Sequence, residues 1–151
     1  MKGAAGEPPE AAMAVRFQDI MEAVEAVSSG HFGENSAWLC KQSDRIYMQF
    51  AIDDELEELP DDIEDGEKYI PIPDKRELDL GKPLALAFAG EFLPNDFDKV
   101  RQIFSQRGAY ARFNDLLDHR HMRQQWFDYR DKAEIEAVRA WCAENSIVLV
   151  D

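Results

Sequence analysis

Apolar side chains recur at spacings of three and four from about Ala14 to Val27: Val15, Phe17, Ile20, Met21, Val24 and Val27. That is the period of a helix with one face turned to a core. Ser28, Ser29 and Gly30 end the run, and Gly30 is the residue type that takes the left-handed position beyond a helix. Between 37 and 52 the period shortens to two. AWLC at 37–40 and RIYMQFAI at 45–52 flank Gln42, Ser43 and Asp44, which predicts a β-hairpin. Trp38 and Cys40 would share one face, and Ile46, Met48 and Phe50 another. YIPIP at 69–73 carries two prolines, and a residue without an amide proton cannot sit in a central strand. The segment 68–73 is therefore expected as an edge strand, or as a polyproline-like segment, laid against the hairpin.

From Lys82 the helical spacing returns. Pro83 suits a first turn, and Leu84, Ala87, Phe88 and Phe92 form a face. Pro94 breaks the run. Asn95 is placed to cap a second helix, with Asp96 and Asp98 in its first turn and Phe97, Val100, Ile103 and Phe104 as its stripe. Gly108 ends it. Short helices are expected on Tyr110, Phe113, Leu116 and Leu117, then on Met122, Trp126 and Tyr129. A last helix starts at Asp131, with Glu134 as a capping-box-like partner, and carries Ile135, Val138, Trp141 and Cys142. Asn145 and Ser146 stop it, and IVLV at 147–150 reads as a final strand joining the hairpin sheet. There is no internal repeat and no linker between two globular parts. The pattern predicts an α+β fold: a flexible tail over 1–12, then a single domain over 13–151, with a small antiparallel sheet packed on a helical layer.

Composition supports a core. A chain of 151 residues, 45% apolar with nine Phe and three Trp, can bury about 70% of its unfolded surface without staples. Charge changes the picture more. The formal net charge is −14, a field that repels phosphate backbones and anionic membranes and favours a basic partner. No run approaches a membrane span, and the first residues lack the basic-then-apolar order of a signal peptide. With two cysteines, Cys40 and Cys142, in apolar runs and outside any zinc pattern, a cytoplasmic location with buried thiols is expected.

The acids are concentrated. Residues 53–67 hold Asp53, Asp54, Glu55, Glu57, Glu58, Asp61, Asp62, Glu64, Asp65 and Glu67 with no basic residue, so an extended, solvated loop is expected. An EF-hand fails: with Gly66 at position 6, position 3 is Ile63 and position 12 is Ile72. The carboxylates of Asp61, Asp62, Glu64 and Asp65 are instead candidates for docking a basic protein. The opposite sign gathers at 99–125, where Lys99, Arg101, Arg107, Arg112, Arg120 and Arg123 face only Asp115 and Asp118. Arg107, Arg112, Arg120 and Arg123 are candidates for contact with an acidic group. With Tyr110, Phe113, Trp126 and Phe127 nearby, nucleic acid is one possible partner, but the helical spacing of these rings favours core packing. The plainest alternative is intramolecular pairing with the acidic loop, or an ordinary mixed surface.

Chemistry-bearing motifs are absent. His119 and His121 lie two apart, which on a helix points them to different faces. Neither H-E-x-x-H, GxSxG, GxGxxG nor GxxxxGK[ST] occurs. No catalytic residue, metal or cofactor is expected.

IPIP at 70–73, RGAYARF at 107–113, WFDYRD at 126–131 and AWCAENSI at 140–147 come in that order. The arrangement resembles a group of small bacterial proteins catalogued as uncharacterised protein family 0158, over about residues 14–147. The resemblance implies a bacterial source and weight on Gly108, Phe113 and Trp126. It implies no activity, ligand or catalytic residue. The functional expectation is a non-catalytic binding or adaptor domain working by charge complementarity. The alternatives are an enzyme with no textual motif, and a nucleic-acid contact through 99–127. The partner's identity and the oligomeric state are not legible.

Overall fold

The computed structural model describes residues 14–50 and 58–150. The expected tail at 1–12, the strand end at Ala51 and Ile52, and the acids Asp53, Asp54, Glu55 and Glu57 lie outside the described residues. The fold is α+β, and its chain gathers into two compact units. The first comprises residues up to Leu78 and from Ala137 onward; the second is Asp79–Glu136.

In the first unit, α1 (Phe17–Ser28) buries Ile20, Ala23, Val24 and Val27, the i, i+3, i+4, i+7 face the spacing predicts. Fully burying side chains such as Ile20 and Val24 contributes about 1.5–3 kcal/mol each. The helix starts later than its apolar pattern. Ala14–Arg16 is a strand, β1, with Val15 buried between exposed neighbours. Three residues are too few to fix a period, and the partner across the chain decides. That partner is β5 (Val148–Val150), which runs parallel to β1 with Val15 opposite Leu149. The last strand thus joins β1 and not the hairpin sheet, because a β-branched run sets strand propensity and leaves the partner open.

The hairpin forms as expected. β2 (Ser36–Cys40) pairs antiparallel with β3 (Ile46–Gln49) and, on its other side, with β4 (Tyr69–Pro71). The order β3-β2-β4 leaves the proline strand at an edge, as its missing amide proton requires. Leu39 lies opposite both Ile46 and Ile70, and Ala37 opposite Met48. These enter a core with Ile20, Val24, Val138, Cys142 and Ile147. Trp38 and Cys40 alternate with them, opposite Tyr47 and Tyr69 respectively. After β4 a 3-10 turn, Lys75–Leu78, closes the segment.

The second unit is helical. It holds α2 (Lys82–Phe92), a 3-10 turn at Pro94–Asp96, α3 (Phe97–Ile103) and α4 (Ala109–His119). The first part of α5 (Arg123–Glu144) belongs to it, and the last part to the first unit. Phe88 centres an aromatic cluster, stacked on Phe92 at 4.8 Å and edge-on to Trp126 and Tyr129, each at 5.3 Å. Trp126 is also edge-on to Phe113 at 5.2 Å.

Four local expectations change. The buried face of α2 is Leu84, Ala85, Phe88 and Ala89, so Ala87 and Phe92 are exposed. Asp96 precedes α3 in place of Asn95, and caps nothing with its side chain. Gly108, at φ 70°, opens α4 and does not close α3, which has ended at Ile103. The two expected helices around Asp131 are one of 22 residues. Neither Gly nor Pro occurs between 123 and 144 to break it, and Glu134 is buried beside Arg130 (3.9 Å) instead of capping.

Candidate functional site

The described acids fold into successive turns, not the extended loop expected. The amides of Ile63, Asp65 and Lys68 donate to the carbonyls of Pro60, Asp62 and Asp65 at 3.2, 2.8 and 3.0 Å. Ile63 is buried and anchors the segment. Of the four candidate carboxylates, Asp62 is engaged. Lys68 Nζ donates to it at 2.7 Å, and the Tyr69 hydroxyl at 3.4 Å. The Lys68 hydrogen bond holds the Asp62 carboxyl below its ordinary range. Asp65 accepts the Glu67 amide at 2.9 Å. Asp61 and Glu64 are exposed, with no hydrogen bond or ion pair among the described residues. No group of three or more His, Cys, Asp or Glu placed to hold a metal occurs among the described residues.

The same unit has a cavity of about 180 Å³ that sequence reasoning missed. Its apolar wall is Val27 from α1, Ala37 and Trp38 from β2, and Pro71 and Ile72 from β4 and beyond. Phe32 stands at it, 60% exposed. Asn35 holds the loop by donating to the carbonyls of Ala26 and Ser29 (3.4 and 3.1 Å). The acidic side is Asp74 and Glu77. Asp74 is buried, and Arg76 grips both its oxygens from Nε and Nη2 (2.9 and 2.8 Å). Burial pushes the Asp74 carboxyl up, but the bonds from Arg76 outweigh it and leave the group below the ordinary value. Asp74 is thus a satisfied, ionised anchor. Glu77 accepts the Asp74 amide on Oε1 at 2.9 Å, while Oε2 accepts no hydrogen bond among the described residues. One signal was readable: Phe32 lies in a loop between Gly30 and Gly33, where no helical or strand period places it in a core.

Among the described residues the close ion pairs of the basic stretch are made within the second unit. Arg120 makes a two-point bond to Asp96 (2.8 and 2.9 Å), and Arg123 one to Asp118 (2.7 and 2.7 Å). These bonds hold both carboxyls below their ordinary range. Arg112 donates to the Gln106 side chain and the Arg107 carbonyl, both at 3.1 Å, and to no carboxylate. Arg107 is exposed and makes no ion pair among the described residues. Two of the four candidate arginines, Arg112 and Arg120, come together in a groove of about 290 Å³ lined also by Lys99, Ile103, Asp115, Leu116 and His119. On α4 the positions 112, 115, 116 and 119 share a face by their spacing. His119 Nδ1 lies 2.9 Å from the Asp115 carbonyl. A carbonyl only accepts, so that nitrogen carries the proton. His121, in the left-handed region at φ 56°, is not part of this groove.

Both thiols are free. Burial pushes Cys142 up to about 11. Burial also raises half-buried Cys40, but hydrogen bonds from the Ser43 hydroxyl and the Gln42 and Ser43 amides outweigh it and lower its value. Among the described residues no helix is long and apolar enough to cross a membrane. Compared with known protein families, curated proteins and solved structures, the chain matches none.

Proposed function

We propose that this protein is a non-catalytic binding domain that engages a basic protein partner by charge complementarity. One observation carries the reading: in the first unit a cavity with Trp38 and the exposed Phe32 in its wall also meets the Glu77 carboxylate. A lysine or arginine side chain needs that combination. Its apolar stem takes up the apolar wall, its cationic head competes with the Arg76 guanidinium, 5.6 Å from the Phe32 ring centre, for the ring, and a carboxylate neutralises it. The exposed acids Asp61 and Glu64 lie in the same unit, and with the net charge of −14 they raise the encounter rate with a cationic partner.

The test is fluorescence anisotropy of labelled lysine- and arginine-bearing peptides against the full chain. Binding is expected to weaken as salt rises. Phe32→Ala is expected to weaken it about tenfold, close to 1.4 kcal/mol. Replacing Asp61 with Asn and Glu64 with Gln together is expected to slow association, with little change in dissociation. Absence of saturable binding, or the same affinity in Phe32→Ala, overturns the reading.

A further inference from the structure

The second unit carries a site of the opposite sign. We propose that the groove lined by α3 and α4 binds a small ligand through a single terminal phosphate. Three cationic side chains reach it from two elements: Lys99 on α3, Arg112 on α4 and Arg120 just beyond it. Lys99 and Arg112 make no ion pair among the described residues, and Arg112 uses only Nη1 in hydrogen bonds. Arg120 gives Nε and Nη2 to Asp96 and keeps Nη1. The groove therefore holds donors that the fold does not consume.

Donors arriving from separate elements suit the three oxygens of a phosphate better than the planar pair of a carboxylate. With Nδ1 donating to the Asp115 carbonyl, the neutral His119 ring offers Nε2 as an acceptor to a hydroxyl on the ligand's body, not to the phosphate. Ile103 and Leu116, nearly buried at 9% and 5%, floor the groove against the ligand's body. Asp115 supplies an acceptor for a hydroxyl on that body, and its charge disfavours a second phosphate.

Size and field select a small anion over nucleic acid. At physiological salt a charge is screened over about 8 Å, so a ligand of the groove's size feels chiefly the local cations. A polyanion longer than the groove runs over the surface of a chain with net charge −14, which repels it. This site shares no residue with the cavity of the first unit, so the two proposals fail separately.

The experiment is titration calorimetry of the full chain with ribose 5-phosphate, inorganic phosphate, ribose and a single-stranded oligonucleotide. One saturable site for the phosphate ester is expected, weaker binding of inorganic phosphate in competition with it, and no heat from ribose. Arg112→Gln and Lys99→Gln are each expected to weaken the ester about tenfold, and Lys132→Gln, on α5 outside the groove, to leave it unchanged. Lys99 is exposed and its side chain makes no hydrogen bond among the described residues, so its replacement tests the site without threatening the fold. The proposal is overturned if neither phosphate probe saturates, or if the ester binds Lys99→Gln and Arg112→Gln as tightly as the parent. It is also overturned if the oligonucleotide binds more tightly than the ester at physiological salt, since the groove is then part of a nucleic-acid surface.

Discussion

Trp126 is 3% exposed, and its ring lies edge-on to Phe88 and Phe113. Edge-to-face pairs add about 0.5–1.5 kcal/mol to the burial of the rings themselves. Trp126→Ala removes both terms and opens a cavity that its neighbours fill only in part. A loss of about 3–5 kcal/mol is expected in chemical denaturation; a loss under about 1 kcal/mol would remove Trp126 from the core. This residue was legible because Trp126 and Tyr129 sit at helical spacing. Phe32 was missed: its one signal was to be a ring in a glycine-flanked loop. The pairing of Arg120 with Asp96 and of Arg123 with Asp118 was not legible as such. Local charge counting showed an excess of cations, but the Arg120 partner lies 24 positions away across a chain reversal.

Elements whose period is long and whose ends carry strong breakers were readable: α1 from its stripe, α2 from Pro83, β4 from its prolines. The errors fall where a short cue competes with a distant partner or with plain propensity. Asp131 and Glu134 have the spacing of a capping box, yet α5 runs through them because nothing between 123 and 144 disfavours a helix. Proline at position 131 separates the two readings. In a helix interior it removes an amide and strikes the preceding turn, so Asp131→Pro is expected to cost about 3 kcal/mol or more. At the first turn of a new helix the same change is nearly neutral. A melting temperature unmoved by Asp131→Pro contradicts the continuous helix. The strand at 148–150 follows the same lesson: β-branched residues announced a strand, and only the fold named β1 as its partner.

The whole molecule is acidic, yet several of its carboxylates stabilise it. Asp62, Asp74, Asp96 and Asp118 all sit below their ordinary value of 3.8, each bonded to a Lys or Arg side chain. A carboxyl depressed in the folded state contributes stability that is present above its unfolded value. That stability is lost as pH falls through the folded one. From neutral pH downward, protonation of other acids first relieves repulsion in a chain of net charge −14. Stability measured by urea denaturation is therefore expected to hold or rise as pH falls toward about 4, and to drop below it. A monotonic rise through pH 3 would show that these four pairs contribute little. Charge of one sign was visible in the composition; that the opposite sign is gathered into a groove was not, because α3 and α4 bring Lys99 and Arg112 together only once folded.

The pairing of β1 with β5 also orders events in time. A ribosome delivers the chain from its first residue to its last, and folding begins before it finishes. Every residue of the helical unit is present once position 136 has emerged. The other unit has its hairpin and α1 much earlier, but Val15 must wait for Leu149, 134 positions further along the chain. Its core therefore stays incomplete for longer than the helical unit during synthesis, with Val138, Cys142 and Ile147 still to arrive.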